Sequence, residues 1–369
     1  MRDGKNCQPI YHFATLLRSH PVFEHCCYNQ IMERLRRSAR LPQTQNGQRN
    51  SGPRKRLTLS TILFTVVMLI SPFVLLLAMS PDSPLNELLQ RINLFGYARL
   101  LTRFGGQGTT DGLFTDPRAI AVDEQGFVYV ADYKDGRIQR FDLQGNFQNA
   151  WVAAPGSENS PVHVSSLAVD RDGHLYAAVG GKLLVYDGVQ GQKIREIVVN
   201  VPGQIGPVSV SQVYLDSEGQ LYLLYDGENI LILNQSGTIR RSIPKALESV
   251  TGRSEYTGRL AVDGSGGMYL SGMSNPAIVK YGADGAYAYS FGSKGIKPGQ
   301  FTEVEAVAVD PLGQVFVSDL RGINVFDADG RFLRRFGIGT LVYGMTFDAQ
   351  GNLWVTTVMG QVAQYSLKK

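Results

Sequence analysis

Arg118, Ser165, Ser211, Gly258, Glu305 and Tyr343 recur along this chain at intervals of 47, 46, 47, 47 and 38 residues. A guanidinium, a carboxylate, two hydroxyls and a phenol brought to one place would hold a polar ligand through charge-assisted hydrogen bonds. With further carboxylates they would hold a divalent cation. The residue after each adds Gln212 and Arg259, and nearby loop segments add Asp132, Tyr133, Lys134, Asp135 and Arg137, then Asp226, Glu228 and Asn229, then Asp319 and Arg321. The candidate ligand-binding set is Arg118, Asp132, Lys134, Arg137, Asp226, Arg259, Glu305, Asp319, Arg321 and Tyr343. The plainer alternative is that these charges sit on exposed loops and are simply solvated.

The spacing comes from a repeat. Five residues after each of the six stands an aspartate with a glycine three further on: Asp123/Gly126, Asp170/Gly173, Asp216/Gly219, Asp263/Gly266, Asp310/Gly313 and Asp348/Gly351. A short apolar run precedes each pair. An aromatic follows three residues after each glycine: Tyr129, Tyr176, Tyr222, Tyr269, Phe316 and Trp354. Asp bonds the backbone two residues on and Gly takes the positive φ of a tight turn, so these six aspartates read as turn formers and the aromatics as core. A period in the forties with about four short strands per unit predicts propeller blades. The last repeat ends after a third strand, and Leu100–Gly105 matches the fourth strand of other repeats, so residues 97–104 are expected to close blade six and remove an open edge. Innermost strands entering from one face put the six recurring residues around a central channel, with the Asp-x-x-Gly turns on the opposite face.

The pattern resembles the NHL-repeat family of six-bladed β-propellers (NHL/TolB-like, all-β). The carriers are the Pro-Arg-x-Ile-Ala-Val-Asp run at 117–123, Val-Tyr-Val-Ala-Asp at 128–132 and Arg-Ile-Gln-Arg-Phe-Asp at 137–142, echoed at 306–310, 315–319 and 323–327. The resemblance implies the fold strongly and function weakly, because propellers host many activities. Lyases of this fold hold a metal by several histidines, whereas the repeat region has only His163 and His174, with His174 placed near the turn face. Propeller lactonases use a carboxylate-bound divalent ion, a task that would fall to Glu305, Asp319 and Asn229. We expect neither a resident metal nor a cofactor. Some family members bind RNA on a basic face, but residues 57–369 carry 25 Lys+Arg against 29 Asp+Glu, which argues against a nucleic-acid footprint.

The first 56 residues are of another kind, with 11 Lys+Arg against 3 Asp+Glu and all three cysteines, Cys7, Cys26 and Cys27. Residues 40–56 have a disordered composition. The Cys and His spacing matches no common zinc finger, and Met32 is an alternative translation start. Leu57–Met79 holds 23 residues without a charge, about 34 Å as a helix, sufficient to span a bilayer core. Basic residues before it and Asp82 and Glu87 after it predict a cytoplasmic tail (1–56), an uncleaved transmembrane helix (57–79), a linker (80–92) and an extracytoplasmic propeller (93–369). A cleaved signal peptide is the alternative. The expected function is a membrane-tethered binding or sensor module for a protein, peptide or glycan, with a metal-dependent lactonase-like hydrolase or lyase as the alternative.

Overall fold

The computed structural model describes residues 96–153, 162–273 and 276–368. The basic tail, the apolar stretch Leu57–Met79 and the linker at 80–92 lie outside the described residues. Among the described residues no helix is long and apolar enough to cross a membrane.

Each repeat folds into one antiparallel four-stranded sheet in which sequence neighbours pair in order. Blade one is Pro117–Val122, Val128–Asp132, Arg137–Phe141 and Phe147–Val152. Five four-stranded sheets, blade one included, follow this plan, and a sixth completes the ring. In the sixth, Val342–Phe347, Leu353–Thr357 and Gln361–Leu367 come from the end of the chain, and the outer strand is Ala98–Gly105. That strand runs antiparallel to Gln361–Leu367, from Ala98 opposite Leu367 to Gly105 opposite Gln361. The ring thus closes by backbone hydrogen bonds between the first and last described strands.

The sheets are held by packing between blades. Six buried apolar clusters are found among the described residues, each shared by two neighbouring blades. The seam between blades six and one buries Phe114, Ile120, Val128, Val130 and Phe141 against Trp354 and Val362. Second strands are mostly apolar because both faces are covered; Val128–Asp132 and Leu221–Tyr225 are buried at every position.

The turn between first and second strands is the same device six times. The Asp carbonyl accepts the glycine N–H, at 3.2 Å for Asp123/Gly126 and 2.9 Å for Asp348/Gly351. The glycines sit at φ between 78° (Gly219, Gly351) and 89° (Gly126), the left-handed region a side chain disfavours. The Asp carboxylate accepts the N–H four residues on, as from Phe127 to Asp123 (2.7 Å) and Gln220 to Asp216 (2.9 Å). Its other oxygen accepts from the aromatic six residues on: Tyr129 (3.2 Å), Tyr176 (3.3 Å), Tyr222 (3.0 Å), Tyr269 (3.3 Å) and the Trp354 indole (3.0 Å). Burial, followed by the Asp123 charge, raises the Tyr129 phenol to about 12, and burial raises those of Tyr176, Tyr222 and Tyr269 as well. Blade five is the exception. Phe316 has no donor to offer Asp310, and burial holds the Asp310 carboxyl above the usual carboxylate range.

Candidate functional site

The other end of the innermost strands forms the mouth of a central cavity of about 490 Å³, lined by residues of all six blades. Pairing between first and second strands shifts register between Pro117 and Ala119, Val164 and Ser166, Val210 and Gln212, and Val342 and Gly344. The residues passed over are Arg118, Ser165, Ser211 and Tyr343, and all four line the cavity. A bulge frees one residue from the ladder and re-aims its side chain. In blade five the equivalent residue, Glu305, precedes its strand; its N–H bonds the Ser318 carbonyl at 3.0 Å and its side chain also lines the cavity.

In blades two, three and four the next residue ties that blade to its neighbour. Ser166 Oγ donates to the Val213 carbonyl (3.2 Å) and accepts the Val213 N–H (3.1 Å). Gln212 Oε1 accepts the Leu260 N–H at 2.6 Å. Arg259 Nε donates to the Glu305 carbonyl at 2.6 Å, and Nη2 lies 3.8 Å from the Glu305 carboxylate. Gly344 continues the series by having no side chain: a Cβ there would lie 2.5 Å from the Arg118 carbonyl oxygen. This close approach brings Tyr343 beside Arg118.

Arg118 is the charged centre of the mouth. Its Nε donates to Asp116 at 3.0 Å, and its guanidinium lies 4.5 Å from the Tyr133 ring centroid and 5.1 Å from that of Tyr343. Such cation–π contacts favour the charged form. Burial lowers the Arg118 pKa, but the hydrogen bond and charge of Asp116 outweigh it, so the guanidinium is held above its ordinary value. Tyr133 also stacks on His163, with ring centroids 4.3 Å apart and planes at 6°. The Arg259–Glu305 pair is less favourable. Burial lowers the Arg259 pKa and raises that of Glu305, and the 3.8 Å contact does not compensate.

Of the ten residues singled out from the sequence, the structure gathers Arg118, Arg259, Glu305 and Tyr343 on the cavity wall. Asp132 is buried, and its carboxylate accepts the Thr115 N–H (2.5 Å), the Thr115 hydroxyl (2.7 Å) and the Asp116 N–H (3.0 Å). Asp319 does the same in blade five, taking the N–H (3.2 Å) and hydroxyl (3.4 Å) of Thr302. Arg137 donates to the carbonyls of Thr110 and Leu113, both at 2.9 Å. Lys134, Asp226 and Arg321 are exposed and do not line the cavity. Sequence reasoning missed Tyr214, Tyr256 and Met273, which do line it. Tyr214 left a signal: it stands two residues before the turn aspartate, where the other blades have Ala121, Ala168, Ala261, Ala308 and Thr346. Burial raises its phenol to about 12.

The channel chemistry is a poor fit to a divalent ion. Glu305 is the one carboxylate among the described lining residues, and no histidine lines the cavity. Asn229 is engaged elsewhere, accepting the Lys245 N–H at 2.9 Å. Among the described residues, Asp170, Asp172 and His174 have ligand atoms close together, at the turn end of blade two. There Asp170 is already bonded to the backbone N–H groups of Asp172 (3.0 Å) and His174 (2.8 Å) and to the His174 ring (3.1 Å).

The NHL repeat family matches residues 114–141. Among curated proteins, the B-box type zinc finger protein ncl-1 of Caenorhabditis elegans is 46% identical over 46 residues, which is 12% of this chain and 5% of that protein. Protein brain tumor of Drosophila melanogaster is 33% identical over 70 residues, 19% of this chain and 7% of that protein. The matches therefore span less than a tenth of either relative's length. Among solved structures, a gluconolactonase from Xanthomonas campestris superposes with a TM-score of 0.56 at 18% identity, covering 76% of this chain and 92% of that one. A streptogramin B lyase gives 0.52 at 14% identity, covering 73% and 98%. At such identities the likeness shows the fold alone.

Proposed function

We propose that this chain, an NHL-repeat six-bladed β-propeller, is a binding module that captures a protein, peptide or glycan ligand at the mouth of its central channel. The observation that carries this reading is the bulged ring. Four of six innermost strands break register at a residue that lines the cavity mouth, and those positions hold a guanidinium, two hydroxyls and a phenol, Arg118, Ser165, Ser211 and Tyr343. A purely structural ring has no use for a guanidinium held between two tyrosines at an open mouth. The charge-free stretch Leu57–Met79 would tether the module to a membrane, with the propeller on the extracytoplasmic side.

The second reading is a metal-dependent hydrolase or lyase. The shared fold with a gluconolactonase and a streptogramin B lyase favours it. The side chains do not, since Glu305, Asp319 and Asn229 do not converge on the channel. The test is cross-linking of the full chain in intact cells, wild type against the Arg118→Gln/Glu305→Gln double variant. The binding reading expects the cross-linked partner to disappear while the protein level stays constant. An unchanged cross-linking profile would overturn the mouth as the site.

A further inference from the structure

Resting on that reading of the mouth, we propose that the group it captures is a carboxylate, seated on the outward edge of Arg118. Three sides of this guanidinium are already fixed. Nε is bonded to Asp116, and the rings of Tyr133 and Tyr343 lie against the planar group. The two terminal nitrogens make no hydrogen bond to any described residue, and the side chain is 40% exposed where that of Asp116 is 7% exposed. A planar fork held in one orientation offers two parallel N–H groups, which match the two oxygens of a carboxylate. Its ordering is met before the ligand arrives, which favours affinity.

The surroundings select a monoanion over a phosphate. Arg118 and Arg259 are the two cations among the described lining residues. Arg259 is directed to the Glu305 and Gly258 carbonyls and faces the Glu305 carboxylate, so one cation is available to a ligand. Glu305 shares the mouth, close enough for Arg118 to bear on its pKa, and would repel a second negative charge. The rest of the ligand meets a polar and aromatic wall. The Gln212 amide uses its oxygen on Leu260 and keeps its NH2 as a donor, and Tyr256 stands exposed at the rim. A cavity of about 490 Å³ suits the skeleton of a small acid. A sugar acid and a peptide C-terminus present the same carboxylate.

Titration calorimetry on the full chain with paired probes tests this. D-glucuronate against D-glucose examines the sugar source; N-acetyl-L-alanine against N-acetyl-L-alaninamide examines the peptide terminus; inorganic phosphate serves as the dianion. We expect one acid to bind about tenfold or more tighter than its neutral partner, as a charge-assisted pair allows, and tighter than phosphate. The pair showing this names the source. Arg118→Gln should abolish the preference. Arg118→Lys, which keeps the charge but not the fork, should weaken acid binding several-fold, with an unchanged near-ultraviolet circular dichroism spectrum showing that the mouth is folded. Equal binding of acid and neutral probes, both weakened by Gln212→Ala, would leave the mouth a binding site and overturn the carboxylate. Tightest binding of phosphate, no binding of any probe, or an acid preference surviving in Arg118→Gln would likewise overturn it.

Discussion

The two ends of the innermost strands are built from the same backbone and carry opposite kinds of sequence. At the turn end, six aspartates do one job: each closes a tight turn, and in five blades each also receives a hydrogen bond from the aromatic six residues on. At the mouth end, five residues earlier, the equivalent repeat position holds Arg118, Ser165, Ser211, Gly258, Glu305 and Tyr343, bulged in four blades, regularly paired at Gly258 and ahead of the strand at Glu305. The fold needs the first set to be alike, since each blade must turn and pack in the same way. Nothing in the fold needs the second set to differ. In a repeat protein, side chains that vary at one repeat position lining a cavity are the ones left available to a ligand.

The largest test of this contrast is the core aromatic of the closing blade. Trp354 is fully buried, and its indole bonds Asp348. Trp354→Ala should cost about 3–5 kcal/mol, read as a lower denaturant midpoint. A loss below about 1 kcal/mol would mean that the turn end is not what holds the blades.

A smaller effect is expected at Gly344, where the two ends' rules meet. A Cβ there would lie 2.5 Å from the Arg118 carbonyl and 2.8 Å from the Thr356 hydroxyl. Gly344→Ala should destabilise by about 1–3 kcal/mol by overpacking. It should also part Tyr343 from Arg118, so ligand capture falls more than stability does. Unimpaired capture in a folded variant would show that the cation–π arrangement is dispensable.

The smallest effect separates one blade from the rest. Asp216→Asn removes the acceptor of the Tyr222 hydroxyl and should cost about 1 kcal/mol. Asp310→Asn should cost nothing at neutral pH, because Asp310 has no such donor and its buried carboxyl is raised. A raised folded value means that the group's contribution is present below the ordinary 3.8 and is lost as pH rises through the folded value. Wild type should therefore gain on Asp310→Asn as pH falls toward 3.8. Melting temperatures of both proteins across that range decide it; a constant difference would contradict the assignment.

Much of this was legible in the sequence. The period, the turn aspartates, the core aromatics and the cavity-facing ring all follow from offsets within one repeat. A closing strand was expected at 97–104, and Ala98–Gly105 occupies that place. The loop residues were read less well, for a physical reason. Asp132 and Asp319 look like free carboxylates at a loop, yet each is bonded to a threonine 17 residues earlier, on the segment entering the first strand. Both partners keep fixed offsets from the turn aspartate, eight residues before it and nine after, but their contact forms only once the sheet has folded. Tyr214 was overlooked although its bulk at a small-residue position was visible in the alignment of repeats.

The central claim is that the mouth is a binding surface and not a metal centre, and the melting temperature of the full chain tests it directly, first with chelator and then with calcium, magnesium, manganese or zinc. An ion held at about 100 times its dissociation constant would add roughly 2.7 kcal/mol, a shift of several degrees. The side chains of the channel predict no shift that depends on Glu305. A several-degree rise with one ion, abolished by Glu305→Gln and retained in His174→Ala, would contradict the claim and place a metal in the channel.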